Sequence, residues 1–556
     1  MNGSSGMDEE LVFLALGGAG EIGMNLNLYG WGPPGGHRWL MIDCGVTFGV
    51  DSPGADVMMP DPAFIVERRE QLDGLLLTHA HEDHLGAVAH LWPQLRCPVY
   101  GTAFALSVLR QKLNGSVGAT ALEPITVSSG GSLKIGPFSV ELVGMTHSIP
   151  EAQAVAIRTP AGVVVHTGDW KLDPDPVVGD ASNEGALSRL GDEGVTALVC
   201  DSTNVFEHGH SGSEGSLLAP LTAVVEGCSC RVAITCFATN VARLHTIGEV
   251  ARATGREVVM AGASIRRTYQ AARECGYLSD IRPFLDDTVC PKLPRDRTLI
   301  LCTGGQGEPT AALSRIVRGN HPYVDLDRDD VVIFSSRVIP GNERAIGRLQ
   351  NALLRMGVRV VTHRDGLVHV SGHPARDELA QMYGLIRPRV AVPVHGELRH
   401  MLEHADLARR CGVEETVVAE NGNMVRLAPD PACVVDHVAT GRLLLEGSRM
   451  VPIDGELVRT RNKAIYNGAV LVTVVLEAVR RNRSEVHLSS FGLLESGEDE
   501  VASALGTAAR DAIEKLPSDR YLDDEAVRET VRVAVRRMAR QLIDKRPLAH
   551  VHVVRV

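Results

Sequence analysis

Residues 74–91, GLLLTHAHEDHLGAVAHL, decide the fold. Leu75, Leu76 and Leu77 form a short apolar run that reads as a buried strand. His79, His81, Asp83 and His84 follow at once, and Leu85, Ala87, Val88 and Leu91 resume with helical spacing. Four ligand-type side chains thus crowd the turn between a strand end and a helix start, where open α/β sheets place their sites. A lone histidine is usually a satisfied core or surface residue. Three histidines and two acids between His79 and His84, with Glu82 the second acid, are not. So tight a loop cannot easily give all four ligands to one metal, but two adjacent metals can share them, an arrangement suited to phosphate-ester hydrolysis.

Outward from this stretch one pattern repeats: an apolar strand with a potential ligand just past its end. WLMID ends in Asp43, VELVGMTH in His147, VVVHTGD in Asp169, ALVCD in Asp201 and AVPVH in His395. Each alone could be an ordinary polar residue at a sheet edge; together they converge on the edge that carries the opening motif. His147 and Asp169 would complete a first metal and bridge to the second, and His395 would complete the second. Asp43 is placed to orient a ligand histidine, and His166, within its strand, reads as core. The opening GGAGEIG satisfies G-x-G-x-x-G, but a dinucleotide fingerprint must open a helix. MNLNLYGW alternates with period two instead and runs into GPPGG, a hairpin.

Between about Ser211 and Asp365 strands and helices alternate, which predicts an α/β unit with a parallel sheet inserted into the metal-binding domain, since His395 returns only afterwards. Thr239-Asn240, Gly304-Gly305-Gln306 and Ser335-Ser336-Arg337 stand at its strand ends, where backbone amides bind phosphate; each is equally a helix cap or a turn. HVSGHP, His369 to Pro374, follows. The predicted organisation is 7–210 and 366–429 for the metal-binding domain, 211–365 for the insertion, a linker at 430–463 and a small α+β domain at 464–556. Arg532, Arg536, Arg537 and Arg540 in the last domain read as a solvated helix face or an RNA track.

At 556 residues the chain exceeds one core. No apolar run is long enough to span a membrane. MNGSSGMDEE lacks the regions of a signal peptide; its NGSSG reads as a residual tag with Met7 the native start. Eleven scattered cysteines without a C-x-x-C pair, several in apolar runs (Cys200, Cys236, Cys302), predict buried free thiols in a reducing cytoplasm. The net charge of −12 argues against a general polyanion binder without excluding RNA. Aromatic residues at 4% leave little for base stacking, so backbone recognition dominates.

The spacing H-x-H-x-D-H is that of the metallo-β-lactamase superfamily. With THSIPEAQAVAIRTPAGVVVHTGDWKLD, DSTN, FATN, HVSGHP and PVHGE in order, nearly the whole chain resembles bacterial ribonuclease J, of the β-CASP branch. The resemblance implies an α/β protein: a metallo-β-lactamase αββα sandwich, an inserted β-CASP domain and a C-terminal α+β domain. It implies a 5′-to-3′ exoribonuclease with endonuclease activity, acting on single-stranded RNA in mRNA decay and in rRNA and other RNA maturation. Two zinc ions per chain are implied, with Mn²⁺ or Mg²⁺ as substitutes: His79, His81 and His147 on one, Asp83, His84 and His395 on the other, and Asp169 bridging. Asp83, Asp201 and His373 carry over as catalytic. His369, Val370, Ser371, Gly372 and His373 match the substrate-phosphate loop, with Asn240 and Ser335 holding a terminal 5′ monophosphate. Partners implied are 5′-monophosphorylated RNA, a second or fourth copy of the chain (homodimer or homotetramer) and an RNA-decay complex, in the cytoplasm and without a membrane. Trp170, Thr239 and Pro374 depart from the commoner residues, and none is a ligand. A calcium site of some relatives would use Asp56. A DNA nuclease of the same branch and an inactive RNA-binding scaffold are the alternatives.

Overall fold

The computed structural model describes residues 9–48, 55, 57–114, 118–119, 121–339, 341–477 and 484–556. Residues 1–8, with the tag-like NGSSG and Met7, and Asp56 lie outside them. The chain divides into two compact units, 1–49 with 57–442, and 50–56 with 443–556.

In the first unit two sheets face each other. One has eight strands in the order Cys433–His437, Asn423–Ala428, Glu10–Gly17, Leu26–Gly32, Arg38–Ile42, Leu72–Leu76, Val99–Gly101 and Ile125–Thr126. The other has seven: Ser132–Ile135, Phe138–Met145, Ala152–Thr159, Gly162–His166, Ala197–Asp201, Val390–Val394 and Glu415–Thr416. Alternating residues meet between them, Leu11, Phe13, Leu40, Ile42 and Leu76 from one against Val140, Leu142, Val155, Ile157, Val199 and Val392 from the other. Helices Glu184–Glu193, Arg376–Ile386 and Leu398–Arg410 cover the outer face of the seven-stranded sheet through Leu187, Leu190, Leu379, Met382 and Leu407. The hairpin expected after the glycine-rich opening is present as antiparallel strands Leu26–Gly32 and Arg38–Ile42. Ala19–Gly20 pairs with Gly396–Glu397 and opens no helix.

Strands Ala197–Asp201 and Val390–Val394 are parallel neighbours. The inserted unit occupies their crossover, so its two ends leave and re-enter the sheet side by side. Its six strands are all parallel, in the order Leu285–Asp286, Glu257–Ala261, Thr298–Cys302, Val232–Thr235, Val331–Phe334 and Arg359–Val361. Such a sheet needs helices on its faces; Val241–Thr254, Ala263–Glu274 and Glu343–Arg355 supply them.

The second unit holds a three-stranded sheet, Glu485–Phe491, Ala469–Leu476 and Leu548–Arg555, with helices Asp499–Glu514 and Asp524–Ile543. Val470, Val472 and Val474 pack on Leu505, Ala509, Val527, Val531 and Val535. Arg532 pairs with Glu529 at 2.6 Å one turn away, as on a solvated helix face. The 430–463 stretch, expected as a linker, is structured: strand Cys433–His437 extends the first sheet, strands Arg442–Glu446 and Arg449–Pro452 form a hairpin, and helix Glu456–Asn467 begins there. Its apolar pieces are short, but the three strands among them each find a strand to pair with.

All eleven cysteines are free; Cys200, Cys236 and Cys302 are buried. Among the described residues no helix is long and apolar enough to cross a membrane.

Candidate metal centre

Strand Leu72–Leu76 ends beside Arg38–Ile42 and delivers the H-x-H-x-D-H loop to the sheet edge. Helix Glu82–Leu85 then begins, and its first turn presents Asp83 and His84. The loop lies close on its neighbours: a Cβ at Gly45 would stand 1.7 Å from the Asp83 carbonyl oxygen, so only glycine fits there.

The strand ends bring the remaining groups in. The ligand-type atoms of His79, His81, His147 and Asp169 lie within 4.8 Å of one another, and so do those of Asp83, His84, Asp169 and His395. Asp169 divides its carboxylate between the two sets. Its Oδ2 is 3.8 Å from His79 Nε2 and 3.8 Å from His147 Nε2. Its Oδ1 is 3.2 Å from His84 Nε2 and 3.7 Å from His395 Nε2, and it is buried without a hydrogen bond. His81 Nδ1 sits 3.0 Å from both His79 Nε2 and His147 Nε2. Three ring nitrogens turned on one point beside Asp169 Oδ2, and two more beside the buried Oδ1 that lacks a donor, form donor sets that fit cations.

The outer ring nitrogens are held from behind, as metal-binding imidazoles require. His84 Nδ1 meets Asp43 Oδ2 at 2.7 Å, and Asp43 itself accepts from the Thr78 amide and hydroxyl, each at 2.8 Å. His147 Nδ1 donates to the Gly372 carbonyl at 2.6 Å, and His395 Nδ1 meets Thr203 Oγ1 at 2.8 Å. Asp43 thus stands where the sequence suggested, behind a ligand-type histidine. His166 is buried on Tyr29 through a 2.9 Å hydrogen bond, away from the cluster's inward-facing atoms.

Electrostatics divides the histidines. Burial, reinforced by neighbouring rings, pushes His79 and His147 well below the ordinary imidazole value, and His81 down to about 4. Burial opposes the charged forms of His84 and His395 too, but the surrounding carboxylates, Asp169 first, outweigh it and raise both. Asp83 is held low by His84 and His395 against the effect of its burial.

Next to the cluster His373 Nδ1 lies 2.8 Å from Asp201 Oδ2, and its ring stacks on that of His395 at 5.6 Å. Asp201 and Asp169 raise the His373 value against its burial, while the His373 ring holds the Asp201 carboxyl low against the same effect. The loop carrying His373 is closely tied. Asn204 Nδ2 donates to Ser371 Oγ at 2.7 Å and to the His373 carbonyl at 3.0 Å, and Ser211 Oγ donates to that carbonyl at 2.6 Å. Glu378, fully buried, accepts from the Ala375 amide at 2.9 Å and the Ser211 amide at 2.7 Å. A Cβ at Gly372 would come within 2.7 Å of His147. His369 and Val370 are largely enclosed.

Asn240 and Ser335 face inward. Asn240 Oδ1 caps helix Val241–Thr254 at the Arg243 amide, 2.8 Å away. Ser335 Oγ donates to the Val368 carbonyl at 2.6 Å and accepts from Arg243 Nη1 at 2.5 Å. Thr203, Asn204, Ser211 and Glu378 went unmarked in the sequence; DSTN contains the first two, and Ser211 and Glu378 carry no local signal.

A two-sheet sandwich with paired His/Asp clusters at one sheet edge defines a metal-dependent hydrolase of the metallo-β-lactamase fold. Residues 38–217 match the beta-lactamase superfamily domain, 229–353 the ribonuclease J beta-CASP domain, 357–419 the Zn-dependent metallo-hydrolase RNA specificity domain and 456–556 the ribonuclease J C-terminal domain. The chain is 43% identical to ribonuclease J of Sinorhizobium meliloti over 553 residues, 99% of this chain and 98% of the relative. It is 38% identical to ribonuclease J of Mycolicibacterium smegmatis (96% and 95% covered) and 34% identical to that of Thermus thermophilus (93% and 92%). A crystal structure of an Enterococcus faecalis protein of unknown function aligns at TM-score 0.52 and 17% identity over 75% of this chain and all of that one, a likeness of fold alone. The chain belongs to the ribonuclease J family, and it is a metallo-β-lactamase-fold ribonuclease.

Proposed function

We propose that the protein is a two-zinc ribonuclease that degrades single-stranded RNA from a 5′-monophosphorylated end in the 5′-to-3′ direction and also cuts internally, in mRNA decay and rRNA maturation in the cytoplasm. The observation that carries the reading is the divided carboxylate of Asp169, one oxygen toward His79 and His147 and the other toward His84 and His395. On this reading His79, His81 and His147 hold one zinc, Asp83, His84 and His395 the other, and Asp169 both, with Mn²⁺ or Mg²⁺ as substitutes. Bound there, the metals would supply a water of near-neutral pKa and countercharge for the phosphate.

The chain's own residues do the rest. Asp83, whose side chain is 27% exposed against 2% for Asp169, is the more open of the two carboxylates and orients the attacking water. His373 presents Nε2 to the leaving 3′ oxygen, because Asp201 occupies its Nδ1; the raised affinity for a proton suits a general acid. Products then carry 5′ phosphates. The loop His369, Val370, Ser371, Gly372 and His373 receives the substrate phosphate, with Asn240 and Ser335 shaping it from behind. The inserted domain, taken as 211–365, clamps the strand, the domain at 464–556 serves assembly as a homodimer or homotetramer, and an RNA-decay complex is the larger setting.

RNA labelled at either end and bearing a 5′ hydroxyl, monophosphate or triphosphate tests this. Mononucleotides released progressively from the 5′-monophosphate substrate are expected. Equal turnover of all three ends, or preference for the DNA counterpart, would refute it.

A further inference from the structure

Arg337 stands at the carboxyl end of strand Val331–Phe334, just past Ser335 and Ser336, and its side chain is 45% exposed. Its main chain is pinned: Gln306 Nε2 donates to the Arg337 carbonyl at 2.7 Å, and Gln306 Oε1 accepts from the Ile339 amide at 2.9 Å. The guanidinium is divided. Nη1 donates to Asn204 Oδ1 at 2.9 Å, and Nη2 pairs with Glu207, itself half exposed. Asn204 in turn donates through Nδ2 to Ser371 Oγ and to the His373 carbonyl. One amide side chain therefore joins a solvent-facing cation to the loop that carries the general acid. Burial pushes the His369 imidazole well below its usual value, and the charges of Arg243 and then Arg337 push it the same way, so the start of the loop sits beside cations.

Half-exposed ion pairs are weak, because water screens both partners. The Arg337–Glu207 pair thus releases its cation readily to a better anion. A phosphate presents oxygens that match the planar guanidinium fork, which a lone carboxylate at the rim does not improve on. With Nη1 kept on Asn204, the fork can exchange Glu207 for phosphate without disturbing the tie to His373.

We propose that Arg337 is a specificity-determining residue that reads the 5′-terminal phosphate of bound RNA in exchange for Glu207, and that Asn204 passes this contact to the His373 loop. This rests on the 5′-monophosphate reading above. Arg337 touches the substrate phosphate; Asn204 is a positioning residue.

The test compares kcat and KM on 5′-monophosphate and 5′-hydroxyl RNA for the metal-loaded full chain, Arg337→Ala and Glu207→Gln, with metal content measured beside them. Losing a charged hydrogen bond to phosphate predicts that Arg337→Ala loses about 10–100-fold in kcat/KM on the 5′-monophosphate substrate. On the 5′-hydroxyl substrate it should lose less than about threefold, since no terminal phosphate contact exists there to lose. Glu207→Gln removes the competing anion and should lower KM for the 5′-monophosphate RNA. That arm decides by its sign even if Arg337→Ala folds poorly. Equal losses on both substrates would make Arg337 structural, and a raised KM in Glu207→Gln would refute the exchange; either overturns the inference and leaves the 5′-monophosphate reading intact. A wild-type chain without preference between the two ends would overturn that reading, and this inference with it.

Discussion

Arg243 is fully buried and Glu214 nearly so, and together they join the inserted sheet to the loop that follows DSTN. Arg243 Nε donates to Glu214 Oε1 at 2.6 Å and Nη2 to Oε2 at 3.0 Å, while Nη1 holds the Ser335 carbonyl at 2.8 Å. The Glu214 amide also donates to Asp173 Oδ2 at 3.0 Å, which ties the pair into the metal-binding domain. Arg243→Met leaves a buried carboxylate with no countercharge, and Glu214→Met leaves a buried guanidinium, so each should destabilise by about 3–5 kcal/mol. The double variant replaces both charges with apolar groups of similar volume and should fall within about 2 kcal/mol of wild type, giving a coupling energy of about 4 kcal/mol or more. Urea unfolding followed by tryptophan fluorescence measures this: the four tryptophans, Trp31, Trp39, Trp92 and Trp170, all precede the insertion, so they report whether loss of the pair reaches the metal-binding domain. Single variants that each lose under about 1 kcal/mol, or a double variant equal to the sum of the singles, would refute the reasoning, because a buried, bidentate pair cannot behave as independent surface charges.

His81→Ala removes the nitrogen that faces both His79 and His147, so metal content by mass spectrometry should drop below two per chain and nuclease activity should vanish; full metal content with full turnover would break the two-metal assignment. His373→Ala should slow single-turnover cleavage by about 10²–10⁴, the usual range for a general acid, with both metals retained. An unchanged rate would make that histidine structural. His404, buried between Ser202 Oγ and Tyr383 OH at 2.9 Å each, is pushed by burial from 6.5 to about 4. The unfolded chain therefore takes up this proton first as pH falls, so the stability contributed by neutral His404 is present above about pH 6.5 and lost between there and about pH 4, on the order of 3 kcal/mol in all. His404→Gln should flatten that part of the stability profile, which urea midpoints across the range will register.

The sequence by itself determined the metal chemistry and the family. H-x-H-x-D-H is a local object, one turn in which spacing alone sets four side chains near one another, and each later ligand-type residue follows a strand whose apolar run is visible in the chain. The parallel insertion was legible for the same reason, since alternating strand and helix patterns need no partner to be recognised. Only the tertiary structure decided which groups meet. Asp201 finds His373 across 172 residues, and the two oxygens of Asp169 part toward different histidines only because four strands end at one edge. The segments carrying Asn240 and Ser335 read equally as phosphate-binding turns or as caps; the helix cap at Arg243 and the buried guanidinium turn both side chains inward. The stretch at 430–463 read as a linker because its apolar pieces are short and broken by Gly and Pro: Cys433–His437 is a strand only because it pairs with Asn423–Ala428 just before it. Side-chain direction at a strand end is set by neighbours distant in sequence, and the pairing of short strands by packing that propensity does not encode, so a linear pattern carries no record of either.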